Sequence, residues 1–228
     1  MTRLAVFDCD GTLVDSQANI CRAMELAFGS AQLPLPDRAA IRRIVGLSLV
    51  EAVARLAPAG GPTLHAALAE DYKRHFRAMR TGGGLADEPL FDGVAEAIDR
   101  LLADGWLLGV ATGKSDRGLA LILEHHGLSD RFVTLQTADR HPSKPHPSML
   151  ALAMAEAGAH PENTVMIGDT SFDIAMAAAA GVHPIGVAWG YHTVAELTAA
   201  GARHVLDHAS ALPALAETLC PLPVEMRA

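Results

Sequence analysis

Two aspartates separated by one residue close a short apolar run. In "RLAVFDCDGTLVDS" (3–16), Asp8 and Asp10 bracket Cys9 and lead into Gly-Thr. Side chains alternate faces along an extended chain, so Asp8 and Asp10 point the same way and Cys9 points into packing. Like charges at that separation repel unless a cation joins them. Gly11 permits a sharp turn there, and Thr12 can anchor it through its hydroxyl. Comparable polar residues recur downstream: Thr112 and Gly113 in "VATGKS" (110–115), Lys144 in "HPSKPHP" (141–147), Asp169 and Asp173 in "MIGDTSFD" (166–173).

Four carboxylates and one lysine at one place would be strongly negative. A hard divalent cation with oxygen ligands is the natural remedy, and Mg²⁺ suits a site that also holds phosphate. The corresponding chemistry is phosphoryl transfer. Asp8 is the expected nucleophile, giving an aspartyl-phosphate. Asp10 is expected to protonate the leaving oxygen and then activate water. The expected metal ligands are Asp8, Asp169 and Asp10, the last through its backbone carbonyl, with Asp173 orienting metal-bound water. Thr112, Gly113 and Lys144 are expected to bind the phosphate, Lys144 also neutralising the nucleophile. This chemistry requires the Asp8 and Asp169 side chains to lie close together and within reach of solvent and an ion.

The elements that must position these residues follow from the hydrophobic pattern. Short β-type runs occur at 4–7, 106–111, 132–136, 164–168 and 183–188. Between them, segments with helical spacing close on Gly105, Gly127, Gly158 and Gly181, as helix C-termini often do. Such alternation predicts an α/β fold, a doubly wound parallel sheet with helices on both faces, with chemistry beyond the carboxyl ends of the strands. The alternation breaks once. Residues 16–80 hold only helical segments (16–29, 37–45, 48–57 and 63–80), and "TGGGLADEPLFDG" (81–93) returns the chain as a linker. The expected organisation is a core of residues 1–14 and 84–228 with a helical cap, residues 15–83, hinged over the strand ends.

Bulk properties narrow the function classes. A net charge of −8 argues against general nucleic-acid binding. Residues 15–85 nevertheless carry nine Lys/Arg against six Asp/Glu, a mildly basic segment that could attract a small anion. No uninterrupted apolar run is long enough to cross a bilayer, which argues against a membrane partner. Three cysteines without metal-ligand spacing read as free thiols in a reducing compartment, so the expected location is cytoplasmic.

With these residues in view, "DCDGTLVDS", the Thr of "VATGKS", the Lys of "SKPHP" and "GDTSFD" resemble, in order and spacing, the four motifs of the haloacid dehalogenase-like hydrolase superfamily. The resemblance covers nearly the whole chain and implies a Rossmann-like core, a helical cap and Mg²⁺-dependent phosphoryl transfer. Asp10 is absent from the superfamily's dehalogenases. The cap-hinge histidine of the β-phosphoglucomutase group is replaced by Ile20. The cap lysine of phosphonatases is unmarked here, Lys73 being the only lysine in the insert. What remains resembles the phosphoglycolate phosphatase-like group, implying a small phosphorylated metabolite as substrate. A phosphomutase, a pyrophosphatase or a non-catalytic regulatory binding module stay open as alternatives.

Other features are weighed against this. "GVATGKS" approaches a phosphate loop but is one residue short, with Leu108 where the first glycine is required. His141 and His146 flank Lys144 and are expected to be loop-surface histidines rather than metal ligands. Arg42 and Arg43 are expected to be surface charges on an amphipathic helix, and the turn after them, "IVGLSL" (44–49), is a candidate to face the site.

Overall fold

The computed structural model describes residues 1–222. Six parallel strands form one sheet in the order β3-β2-β1-β4-β5-β6. They are β1 (Leu4–Phe7), β2 (Leu107–Thr112), β3 (Thr134–Thr137), β4 (Thr164–Gly168), β5 (His183–Val187) and β6 (Val205–Leu206). The central strands are buried on both faces, which is why they read as continuous apolar runs. Along β1, Ala5 and Phe7 enter one core with Val110, Ile167 and Leu101, while Leu4 and Val6 enter the other with Met149, Met166 and Met176. Cys9 continues the first of these faces and is fully buried, as its alternation with the aspartates predicts.

Register does the positioning. Phe7 stands level with Val110 of β2 and Ile167 of β4. Asp8, Thr112 and Asp169 therefore leave the sheet within one residue of a common line, at the edge where the sequence pattern places the chemistry.

Two strand assignments shift. β3 begins at Thr134 rather than 132, because Phe132 is a buried loop residue that packs edge-on against Phe7, with ring centroids 6.3 Å apart. β2 begins at Leu107, Trp106 being buried just ahead of it under the Arg3 guanidinium. β6 was not expected; two residues are too few for a periodic signal.

Between β1 and the core helix α5 (Val94–Ala103) lie α1 (Gln17–Ser30), α2 (Arg38–Arg42), α3 (Leu49–Leu56) and α4 (Pro62–Thr81), close to the expected spans. These helices have an apolar cluster of their own, including Met24, Phe28, Ile41, Val53 and Leu68. The remaining helices, α6 (Asp116–His125), α7 (Ser148–Ala157), α8 (Ser171–Ala180), α9 (Val194–Ala199) and α10 (Leu212–Leu219), complete the core. Among the described residues no helix is long and apolar enough to cross a membrane, and Cys9, Cys21 and Cys220 are free and buried.

Candidate active site

Asp8 extends the β1 ladder by donating its N–H to the Ile167 carbonyl at 2.9 Å. Its carboxylate is asymmetric. Oδ1 accepts from the Cys9 N–H at 2.7 Å and pairs with Lys144 Nζ at 2.9 Å, whereas Oδ2 is buried without a hydrogen-bond partner. Lys144 is itself buried and reaches Asp173 Oδ1 at 2.6 Å, so one ammonium bridges two carboxylates. The other Asp173 oxygen accepts from the Thr170 N–H and hydroxyl in the capping box that starts α8. Asp173 thus fixes the lysine and opens the helix at once.

Asp169 is held by Thr12 Oγ1 at 2.8 Å and by the Tyr191 N–H at 2.9 Å. Gly11 makes room for it. Its φ of +86° turns the chain after Asp10, and a Cβ at that position would come within 2.2 Å of Asp169 Oδ2. One ligand atom from each of Asp8, Asp169 and Asp173 lies within 4.8 Å of the others. These three carboxylates against the one ammonium of Lys144 leave a formal charge of −2 in a buried place. Burial raises the carboxyl of Asp8 to about 7, with the Lys144 charge opposing and Asp173 adding to the rise. Burial also pushes Asp169 well up, reinforced by Asp8 and Asp173. The residues fit a divalent cation: an oxygen-only donor set with a formal charge of −2.

Asp10 stands apart from that cluster. Lys114 Nζ approaches its Oδ1 at 2.7 Å, and the Ser16 hydroxyl donates to the same oxygen. Desolvation of Lys114 is outweighed by Asp10 and its other anionic neighbours, which hold the ammonium in its charged form. Asp10 faces a cavity of about 770 Å³ between the helical insert and the strand ends, whose wall also includes Gly113 and Lys114. Thr112 is buried at the end of β2 with its hydroxyl accepting from the Lys114 N–H at 3.2 Å, and the N-cap of α6 is Ser115 instead.

One expectation is not met. Asp8 and Asp169 are 0% exposed, so the acids converge but are sealed from solvent in this conformation. The seal is the turn at 43–48 between α2 and α3. A Cβ on Gly46 would lie 3.8 Å from Asp8 Oδ2, and one on Gly113 would lie 2.4 Å from the Leu47 carbonyl. The Ser48 N–H donates to Ser143 Oγ at 2.8 Å, and His192 Nε2 bonds the Arg43 carbonyl oxygen at 3.2 Å. The turn flagged from sequence therefore faces the site. Arg42 and Arg43 do not; they reach Gln17 and Glu196.

Sequence reasoning missed Lys114, Ser16 and Tyr191. Only Lys114 has a signal in the sequence, its place two residues past Thr112 in "TGKS". His141 is half-buried between Gln136 and Ser148, and His146 is exposed. Neither belongs to the cluster of potential metal ligands found among the described residues.

A doubly wound sheet that gathers three carboxylates and a lysine at its strand ends is one solution to phosphoryl transfer on aspartate. Residues 5–187 match the haloacid dehalogenase-like hydrolase family, and the chain belongs to it. Two relatives are similar over more than nine-tenths of their length. The chain is 38% identical to "Probable phosphatase IndB" of Dickeya dadantii (strain 3937), over 97% of this chain and 96% of that one. It is 32% identical to the phosphoglycolate phosphatase of Yersinia pestis, over 93% of each. The fold matches a crystal structure of a predicted phosphatase from Clostridium acetobutylicum with a TM-score of 0.83 at 23% identity, covering 97% of this chain and 100% of that one.

Proposed function

We propose that the protein is a Mg²⁺-dependent phosphatase of small phosphomonoesters that works through an aspartyl-phosphate on Asp8. The enzyme is a phosphoric monoester hydrolase of the haloacid dehalogenase-like family. The observation that carries the mechanism is the asymmetry of the Asp8 carboxylate. Oδ1 is clamped by the Cys9 N–H and Lys144, leaving Oδ2 with no partner and free to bond phosphorus.

In the first half-reaction Asp8 Oδ2 attacks phosphorus while the ester oxygen departs, taking a proton from Asp10. In the second, Asp10 takes a proton from water, which attacks the same phosphorus and frees Asp8. Lys144 neutralises the nucleophile and the transferring group, and Asp173 holds that lysine in place. The Thr112 hydroxyl and the Gly113 backbone bind phosphate oxygens. Asp8, Asp169 and the Asp10 backbone carbonyl would hold Mg²⁺, which supplies charge compensation for phosphoryl transfer.

Residues 15–83 act as a cap over residues 1–14 and 84–228, and the contacts of the 43–48 turn support this division. The cap admits substrate when it lifts and excludes bulk water when it closes. Free cysteines support a cytoplasmic location.

The test is release of inorganic phosphate from p-nitrophenyl phosphate with and without Mg²⁺. Turnover should require the metal and vanish in Asp8→Asn. The complete burial of Asp8 favours a second reading, a domain that takes up phosphate on Asp8 and keeps it. Retention of label on the protein without turnover would select that alternative.

A further inference from the structure

The cavity beside Asp10 is far larger than a two-carbon phosphate ester requires. At about 770 Å³ it falls in the range of sites for drug-sized ligands. Its wall is chemically divided. Ile20, Met24, Val45, Leu49, Phe76 and Leu121 line an apolar body. Five cations also reach it: Lys73, Arg77 and Arg80 from α4, and Lys114 and Arg117 from the opposite side. Two of them are already neutralised. Lys114 pairs with Asp10, and Lys73 lies 2.8 Å from Glu70. Among the described residues, Arg77, Arg80 and Arg117 form no salt bridge, and Arg77 lies only in the wider field of Glu70, which Lys73 already pairs. The one further acid in the wall, Asp139, accepts from the Asp116 N–H.

The arrangement along α4 is periodic. Tyr72, Phe76 and Arg80 form one row, and Lys73, Arg77 and Thr81 the adjacent row, each at i, i+4, i+8. The Tyr72 end is the catalytic end. Its hydroxyl is pushed up by burial above all, and it lies in the fields of Lys114 and Asp10. From Tyr72 to Arg80 the helix rises about 12 Å. The Arg80 guanidinium lies over the Phe76 ring at 5.6 Å, which leaves its N–H edge free to bind an anion. The mildly basic balance of residues 15–85 is thus concentrated, in part, on the inner wall of the insert.

Resting on the phosphatase reading above, we propose that the substrate is a phosphomonoester with an apolar or ring-bearing body and a second anionic group at its far end. The phosphate meets Asp8 and Lys144, the body packs against the Phe76 and Leu121 walls, and the distal anion is bound by Arg77 and Arg80.

The probes are phenyl phosphate and 4-(carboxymethyl)phenyl phosphate. The methylene insulates the leaving phenol from the carboxylate, so the two esters differ in distal charge and little else. We expect kcat/KM to be about ten- to hundredfold higher for the carboxylated ester, chiefly through KM. The ratio should approach one in the double variant Arg77→Met with Arg80→Met and shrink as NaCl is raised. Arg22→Met, outside the cavity, should leave the ratio unchanged. Titration of both esters into the Asp8→Asn protein by calorimetry reads the same preference without turnover. Equal affinity there, or a ratio of one in the unmodified protein, overturns the inference. A preserved binding preference with no turnover of either ester would instead overturn the phosphatase reading and leave the distal-anion site standing.

Discussion

Lys114 Nζ stands 2.7 Å from Asp10 Oδ1, and Ser16 donates its hydroxyl to that same oxygen. The expected acid/base residue is therefore oriented by a cation from just past the end of β2 and a hydroxyl from the start of α1. Asp10→Asn should slow turnover by about 10²–10⁴-fold and let phosphoenzyme accumulate, since its second role is to activate the water that clears Asp8. Lys114→Met removes no reacting atom but frees the carboxylate to rotate, and should cost about a hundredfold in kcat. Lys114→Arg should recover part of that loss. Rapid-quench measurement of phosphoenzyme separates the two roles, and near-normal kinetics for Asp10→Asn would sink its assignment.

What the chain reveals in advance divides along physical lines. The sheet, the inserted helices and the residues Asp8, Asp169 and Lys144 were legible because strand alternation and strand-end position are short-range properties. Cys9 facing the core follows from the same alternation. The Lys114–Asp10 pair was not legible, because it depends on the side-chain direction of a loop residue two positions past β2. Nor was the seal over Asp8. Burial there is produced by a turn nearly forty residues away, whose glycine approach no local pattern encodes. The start of β3 is hidden for a related reason: apolarity marks burial, and Phe132 is buried without being in a strand.

Asp8→Asn should uncouple stability from function. Without metal, the site crowds Asp8, Asp169 and Asp173 around a single ammonium. Neutralising Asp8 relieves repulsion and desolvation while Lys144 keeps Asp173. The metal-free variant should be more stable than the parent at pH 7 by about 1 kcal/mol, a rise in Tm of about 2–4 °C. It should also lose most of the stabilisation that Mg²⁺ confers on the parent. Thermal melts of both proteins in EDTA and in Mg²⁺ decide it; a destabilised variant would mean that Asp8 is ionised and net favourable without the ion.

The same crowding has a pH signature. Burial raises Asp8 from 3.8 to about 7, and Asp169 moves in the same direction. Groups whose folded pKa lies above the unfolded value take up protons on folding, so their contribution is fully present below pH about 4 and is lost as pH rises to about 7. Lys144 and Lys114, both raised, stay charged throughout that window and do not offset it. Mg²⁺ binds the ionised cluster, so the difference in Tm between Mg²⁺-loaded and metal-free protein should grow from pH 5 to pH 7. A difference that is flat or shrinks over that range would place the ion elsewhere.

The sealed carboxylates make motion of the 43–48 turn a requirement of turnover, because no ester can reach Asp8 Oδ2 while Gly46 and Leu47 lie over the strand ends. The turn is tied down at Ser48, whose N–H meets Ser143 Oγ at 2.8 Å across the cavity rim. A double variant, Ser48→Cys with Ser143→Cys, places two thiols at that junction. The native Cys9, Cys21 and Cys220 are buried and poorly placed to compete for oxidation. Oxidation should abolish hydrolysis of p-nitrophenyl phosphate, dithiothreitol should restore it, and each single variant should stay active under both conditions. Mass spectrometry confirms the bond before the assay. Undiminished turnover in the disulfide-bonded protein would mean that substrate reaches Asp8 by another route and that the helical insert need not lift.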